Sequence, residues 1–116
     1  MPAVKRGQII LVEFPFTDGR HAKIRPAVVV QADAQNAALQ KTIVAMITGN
    51  LRRRADPGHV LIDPASDPEL GIHGPPLISC INLFTVDQAS VLRVVGSLTD
   101  ALESQLDLAL RQTLSL

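Results

Sequence analysis

Short runs of aliphatic and β-branched residues, separated by polar or proline-containing stretches, fill the chain up to about residue 97. Runs of roughly four to eight such residues predict β-strands. We expect strands over residues 7–14, 25–31, 41–48 and 59–62, one bent strand or two short ones over 77–88, and another over 91–95. Five to seven strands that close on themselves are therefore predicted.

The connection between the first two strands reads as a loop. Residues 15–24 (PFTDGRHAKI) carry a turn signal at Asp18-Gly19, and Pro15 ends the first strand because it lacks a backbone donor. Arg25 then opens the second strand directly before Pro26, a proline tolerated as the first residue of a strand. These two strands predict a long hairpin.

Helical patterns occur twice. Residues 32–40 (ADAQNAALQ) allow at most two turns. From Thr99 the apolar period becomes about 3.6, which predicts a C-terminal helix with Thr99 as N-cap and with Asp100 and Glu103 in the first turn. Its apolar face comprises Leu98, Leu102, Leu106, Ala109, Leu110 and Thr113.

Two long connections complete the chain. Residues 49–58 form a polar loop with arginines at 52–54, and the proline- and glycine-rich residues 63–76 form an irregular crossing. Because the strand pattern resumes after this crossing, we predict a single domain over residues 1–116.

Composition restricts the core and the location. The apolar share is 47%, with three Phe and no Trp or Tyr, so the core is aliphatic and base stacking is not the main means of binding. Cys80 is the only cysteine, which excludes an intrachain disulfide and a Cys-based metal site. Without a leader or an apolar run of roughly 20 residues, the sequence predicts a cytoplasmic protein that does not contact membranes.

The charges divide along the sequence although their sum is zero. Residues 1–58 hold nine Lys or Arg against four acids, and residues 59–116 hold two against seven. This division suits a polyanionic partner on one face. The same division is equally compatible with solvated charges of both signs that become interspersed on the surface when the chain folds.

Sequence motifs exclude several chemistries. His21, His59 and His73 lack the spacing of a metal site, and the chain has neither a GxSxG elbow nor a glycine-rich phosphate loop. No metal and no cofactor are therefore predicted.

Arg25 and Thr48 are the candidate reactive residues. Pro26 restricts Arg25 to an extended backbone, and a guanidinium binds phosphate through two parallel donors. A surface arginine paired with an acid is the alternative, although Lys23, Arg20 and the arginines of the 49–58 loop favour phosphate. Thr48 ends the third predicted strand, where threonine is also an ordinary strand residue.

Several segments resemble one family in order and spacing. They are RGQIILVEF followed by PFTDG, then KIRPAVVV, VAMITGN, NLFTVD and VVGSLTDALESQLDLAL. Together they resemble the MazF/PemK (Kid) toxins of type II toxin-antitoxin systems. The resemblance implies a mainly β (α+β) fold, a small SH3-like β-barrel with a C-terminal α-helix. It also implies a homodimer that is a sequence-specific, metal-independent endoribonuclease acting on single-stranded RNA, with messenger RNA the expected class.

The resemblance also implies site residues and partners. Arg25 and Thr48 would carry the reaction, and the antitoxin's C-terminal tail would cover the same groove, in a complex that binds DNA. The 2′-hydroxyl would attack its own phosphate while Arg25 stabilises the charge and Thr48 donates a hydrogen bond. The general base stays open between Arg25, water and a loop residue such as His21. The expected RNA contacts are Phe16, Thr17, Arg20, His21, Lys23, Asn50, Arg52, Arg53 and Asn82.

Departures from the family leave alternatives. Many relatives carry Glu or Gln in the first loop, where this chain has Arg20-His21. Many also carry a polar or basic residue before the LFTVD stretch, where this chain has residues 79–82 (SCIN), so a different base preference is expected. Asn82 either points into the groove or is a buried strand residue satisfied by backbone. The competing functions are a gyrase-inhibiting toxin of the same fold and an inactive domain that binds RNA or a partner. The presence of both Arg25 and Thr48 favours the nuclease.

Overall fold

The computed structural model describes residues 2–15 and 22–116. The strands are β1 Gln8–Pro15, β2 Ala22–Val29, β3 Lys41–Thr48, β4 His59–Leu61, β5 Leu77–Asp87 and β6 Val91–Ser97, and the helices are α1 Asp33–Ala38 and α2 Asp100–Leu114. The strands form one antiparallel sheet in the order β4-β5-β3-β2-β1-β6. The predicted mainly β class with a C-terminal helix is confirmed.

The β1–β2 hairpin is longer than predicted. Its register pairs Phe14 with Lys23 and Pro15 with Ala22. The prediction of a loop was therefore wrong for Pro15 and for residues 22–24, and Arg25 and Pro26 lie inside β2 rather than at its start. Pro26 is tolerated there because the ladder with β3 begins only at Ala27, so the sheet needs no donor from residue 26 on that side.

Hydrophobic clusters lie on both faces of the sheet. Because neighbouring strand residues point to opposite faces, Ile9 and Val28 enter one cluster, whereas Ile10 and Ala27 enter the other. Buried residues of α2 complete the first cluster. The second is built mainly by β1, β2, β3 and β6. Apart from Cys80, the buried members of both clusters are Ile, Val, Leu or Ala, as the composition predicted.

Irregular strand pairing bends the sheet. The register of β1 against β6 shifts twice, and the partner of β3 changes from Leu83 at Ala45 to Ser79 at Met46. This last shift leaves residues 80–82 of β5 outside the pairing with β3. Bulges of this kind increase the local twist and re-aim side chains, and the bulge on β5 lies beside the candidate site described below.

A short 3-10 turn, Pro68–Leu70, packs against β6 and completes the barrel. The approach is so close that an added Cβ on Gly96 would lie 2.3 Å from the carbonyl oxygens of Glu69 and Leu70. Gly71, with φ +72°, would place a Cβ 1.8 Å from the oxygen of Val95. The irregular crossing over residues 63–76 therefore covers one edge of the sheet. The observed fold is the predicted SH3-like barrel with a C-terminal helix.

The C-terminal helix begins where the sequence predicts. The Oγ1 of Thr99 accepts a hydrogen bond of 3.2 Å from the backbone N–H of Leu102, and Asp100 and Glu103 lie in the first turn. Leu98, Leu102, Leu106, Ala109 and Leu110 are buried, whereas Thr113 is only half-buried. An ion pair of 2.6 Å from Arg6 to Asp107 ties the helix to the N-terminal segment. Among the described residues, no helix is long and apolar enough to cross a bilayer.

Candidate functional site

A cavity of about 290 Å³ opens where β3 ends and β4 begins. It contains five of the predicted site residues. β5 lies between β3 and β4 in the sheet order, so the fold brings together segments that are far apart in sequence. The described lining consists of Thr48, Asn50, Arg52, Arg53, His59, Leu77, Ser79, Ile81 and Asn82.

Thr48 organises the loop that follows it. Its Oγ1 accepts a hydrogen bond of 3.1 Å from the N–H of Asn50, whose Oδ1 accepts one of 3.0 Å from the N–H of Arg52. Successive Asx- and Thr-type turns of this kind redirect the backbone out of the strand. A hydroxyl that accepts a hydrogen bond can also donate one, so the Thr48 O–H can donate to a ligand.

Arg52 and Arg53 bring positive charge to the cavity wall. Arg53 forms an ion pair of 3.3 Å with Asp56, but both side chains are more than half exposed, so the pair contributes little to stability. The described lining contains no Asp or Glu. A cavity with two arginines and no carboxylate in this lining attracts anions such as phosphates.

Asn82 lies in the bulge of β5 and is exposed. Its Nδ2 donates a hydrogen bond of 2.9 Å to the Oγ of Ser79. The interpretation of Asn82 as a buried strand residue satisfied by backbone is therefore wrong, and its position on the cavity wall supports the groove interpretation.

The sequence interpretation did not find His59 and Ser79 as a pair. The β4–β5 register places them opposite each other, with Ser79 Oγ 3.2 Å from His59 Nε2. His59 Nδ1 lies 3.3 Å from the carbonyl oxygen of Asp56 and 3.2 Å from that of Pro57. The only sequence signal is that both residues lie on predicted strands, and the crossing at 63–76 hides which strands pair.

Arg25 is not part of the described lining of this cavity. It is half-buried and pairs with Val12 of β1. The β2–β3 ladder ends with Ala27 opposite Met46, and extending that register by two residues brings Arg25 opposite Thr48 on the same face. Lys23, two residues earlier on this face, is exposed and pairs with Phe14.

The remaining predicted contacts, Phe16, Thr17, Arg20 and His21, lie outside the described residues.

Two other features are less suited to reactive chemistry. Burial raises the pKa of Cys80 to about 11, and Arg6 only partly opposes this, so the thiol stays protonated near neutral pH.

No group of three or more His, Cys, Asp or Glu able to hold a metal occurs within residues 2–15 and 22–116. A larger cavity of about 770 Å³ beside α1 has Asp87 but no Lys or Arg in its described lining, which suits a polyanion poorly.

Comparison with known proteins identifies the family. The model of the PemK-like, MazF-like toxins of type II toxin-antitoxin systems matches residues 5–114. The chain belongs to this family. The resemblance found in the sequence is thereby confirmed.

Individual relatives match over nearly their whole length. The chain is 28% identical over 114 residues to Endoribonuclease EndoA of Bacillus subtilis, covering 97% of this chain and 96% of the relative. It is 30% identical over 118 residues to Endoribonuclease MazF6 of Mycobacterium tuberculosis, and the match covers 97% of this chain and 98% of the relative. A mycobacterial endoribonuclease solved with its cognate antitoxin shares the fold, with a TM-score of 0.78 and 24% identity. The superposition covers 98% of this chain and 97% of the other.

Proposed function

We propose that this toxin-family protein is a sequence-specific, metal-independent endoribonuclease that cleaves single-stranded RNA, with messenger RNA as its substrate class. The observation that carries the proposal is the cavity that gathers Thr48, two arginines and Asn82. By the β2–β3 register, Arg25 lies on the same face of the sheet as Thr48. Relatives named as endoribonucleases match over almost the whole chain, which supports this function over gyrase inhibition or an inactive binding domain.

The chemistry follows from the charges that cleavage creates. Attack of a 2′-hydroxyl on the adjacent phosphate gathers negative charge on the non-bridging oxygens, and the 5′-oxygen departs. Arg25 stabilises that charge with two parallel N–H donors and supplies a proton to the leaving oxygen. Thr48 donates its O–H to a non-bridging oxygen, while its oxygen accepts the hydrogen bond from the N–H of Asn50.

RNA binding extends beyond the reacting phosphate. Asn50, Arg52, Arg53 and Asn82 contact RNA inside the cavity, and Lys23 contacts it from the exposed part of β2. Phe16, Thr17, Arg20 and His21 contribute from the connection between β1 and β2. With few aromatic rings in the chain, phosphate contacts and hydrogen bonds to base edges provide most of the recognition.

The proposal includes partners and a location. The protein acts in the cytoplasm as a homodimer, and a cognate antitoxin neutralises it by covering the RNA groove and forms with it a complex that binds DNA. A mycobacterial endoribonuclease of the same fold, solved with its cognate antitoxin, supports an antitoxin as partner. The basic cavity wall suits an antitoxin tail that carries acidic residues.

Cleavage in EDTA tests the proposal. The purified protein is expected to cut single-stranded RNA without metal and to leave a 2′,3′-cyclic phosphate. Arg25→Ala is expected to lower kcat by at least about 100-fold, as the loss of one transition-state donor does elsewhere. Thr48→Ala is expected to lower kcat much more than RNA affinity, because its donor acts on the developing charge.

Arg93→Ala provides the matched control. Arg93 is an exposed arginine on β6, at the opposite edge of the sheet from β4, and its loss is expected to leave cleavage unchanged. Circular dichroism and thermal unfolding confirm that each variant is folded. Full activity of a folded Arg25→Ala variant would refute the assigned role of Arg25, and absence of cleavage by the unmodified protein would refute the function.

A further inference from the structure

We propose that His59 accepts the proton of the attacking 2′-hydroxyl and that the hydroxyl of Ser79 passes the proton to it. This inference rests on the proposed endoribonuclease function and names the general base for it. The two side chains face each other across β4 and β5, and both line the cavity that contains Thr48.

The surroundings of His59 fix which ring nitrogen can accept a proton. Nδ1 lies within hydrogen-bond distance of two backbone carbonyl oxygens, those of Asp56 and Pro57. Carbonyl oxygens only accept, so the neutral ring carries its proton on Nδ1. Nε2 then has a free lone pair, and that lone pair lies 3.2 Å from the Oγ of Ser79.

The hydrogen bonds of Ser79 leave one place for a ligand. A hydroxyl donates once and accepts twice. The Oγ of Ser79 donates to Nε2 of His59 and accepts from Nδ2 of Asn82 at 2.9 Å, so one lone pair remains. Ser79 is 2% exposed and lines the cavity, so a ligand can reach its side chain only from the cavity side. A 2′-hydroxyl seated in the cavity can donate to the remaining lone pair.

No other group in the described lining can take the proton near neutral pH. Arg52 and Arg53 are always protonated, and Thr48, Asn50, Ser79 and Asn82 are neutral and very weakly basic. His59 is the single imidazole in this lining. Histidine is the side chain most often used as a general base for this reason.

In the described lining of the cavity, the charged side chains are Arg52 and Arg53. Both lie on the same cavity wall, and Asp56 at the Nδ1 side is paired with Arg53. The parts of β3 and β5 on this wall contribute no charged side chain. From α2, Gln112 reaches the same region, where its Oε1 accepts a hydrogen bond from the N–H of Gly58.

The proton transfers balance within the site. As the 2′-oxygen forms its bond to phosphorus, its proton passes to the Oγ of Ser79, and the Ser79 proton passes to Nε2 of His59. The bond from phosphorus to the 5′-oxygen breaks, and that oxygen takes a proton from Arg25. The resulting imidazolium releases its proton to solvent, and Arg25 regains one, so the enzyme ends unchanged.

The dependence of kcat on pH tests the role of His59. The unmodified protein is expected to lose activity at acidic pH, because an imidazolium cannot accept a proton. His59→Gln is expected to lower kcat by about 100-fold and to abolish this acidic fall, since general-base catalysis is worth roughly 100- to 10,000-fold. His73→Gln is the matched control, because His73 is exposed and outside the described lining of the cavity.

Ser79→Ala tests the relay. The change removes one oxygen from a buried site and is expected to lower kcat as strongly as His59→Gln, with RNA affinity nearly unchanged. Added imidazole is expected to restore part of the activity of His59→Ala but none of that of Ser79→Leu, whose side chain fills the relay position.

The outcomes separate the two proposals. If the unmodified protein cleaves RNA and folded His59→Gln keeps both the rate and the acidic fall, His59 is not the base and the nuclease function stands. If Ser79→Ala keeps the full rate, the relay is refuted. If the unmodified protein does not cleave RNA at all, both proposals fail.

Discussion

Ser79 and Cys80 are neighbours in sequence with opposite environments. Strand alternation turns Ser79 toward the cavity, where it meets His59 and Asn82, and turns Cys80 into the cluster beneath α2. The residue with the more nucleophilic atom is therefore the one removed from the site. Its backbone N–H donates to the carbonyl oxygen of Gly58, which fixes the thiol behind the cavity wall.

Because the Cys80 thiol is buried, the free energy of unfolding is expected to decrease at alkaline pH. Cys80 has a pKa of about 11 in the folded chain and 9.0 as the reference value for an unfolded one. Between about pH 9 and about pH 11 the unfolded state loses this proton while the folded state keeps it, so the free energy of unfolding decreases as pH rises. The total loss is at most about 3 kcal/mol.

Urea unfolding in reductant at a series of pH values measures this effect. The chain has no Tyr, so Cys80 and the lysines account for most titration in this window. Cys80→Ala is expected to be less stable than the unmodified protein at neutral pH, because it leaves a small cavity, but to show a shallower alkaline fall. Equal slopes in the two proteins would refute the assignment.

At the scale of elements, hydrophobic patterning predicted most strands within a few residues. Residues 41–48 were placed as observed, because a run of aliphatic and β-branched residues is followed by Gly-Asn. The start of β2 was missed, because Ala22–Ile24 follow a turn signal and precede an X-Pro pair. Only the partner strand β1 makes them extended.

The site was also predictable only in part, because some of its contacts depend on pairing between strands that are distant in sequence. Thr48 and the arginines of the 49–58 loop stood out in the sequence itself, whereas Asn50 was named as an RNA contact only through the family resemblance. The His59–Ser79 contact depends on the pairing of β4 with β5 across a long irregular crossing. The orientation of Asn82 depends on a bulge that shifts the register of β5, and no local pattern in the sequence encodes either feature.

The packing of the 3-10 turn Pro68–Leu70 against β6 predicts a sharp difference between two glycines. Gly96→Ala is expected to destabilise the fold by about 1–3 kcal/mol, since its Cβ would meet two backbone oxygens that cannot move away cheaply. Gly49→Ala is the control, because its Cβ would lie in ordinary contact, 3.7 Å from the Cβ of Pro75. Chemical denaturation measures both, and equal stabilities would contradict the close packing at β6.

At the scale of the whole molecule, folding partly mixes the basic and acidic halves of the sequence. Of the three ion pairs found among residues 2–15 and 22–116, two join the halves, Arg6 with Asp107 and Lys41 with Asp87. The third, Arg53 with Asp56, lies within the basic half. Positive charge is therefore reduced along the N-terminal segment and β3, and it persists at the cavity, whose described lining includes Arg52 and Arg53.

Salt dependence of RNA binding tests whether this remaining charge contacts phosphates. A single-stranded DNA oligonucleotide serves as an uncleavable probe, because it lacks the 2′-hydroxyl. The logarithm of its association constant is expected to fall linearly with the logarithm of the salt concentration, with a slope of roughly −0.7 for each phosphate neutralised. An Arg52→Gln and Arg53→Gln double variant is expected to reduce the magnitude of that slope by roughly 1.4.

Arg93→Gln separates this local effect from net charge. It also removes a positive charge, but from β6 at the far edge of the sheet, so the slope is expected to stay that of the unmodified protein. If the double variant binds more weakly with an unchanged slope, the two arginines hold the loop in place without contacting phosphate. If Arg93→Gln lowers the slope as much as each cavity arginine does, the nucleic acid follows the whole surface, and the cavity does not define its path.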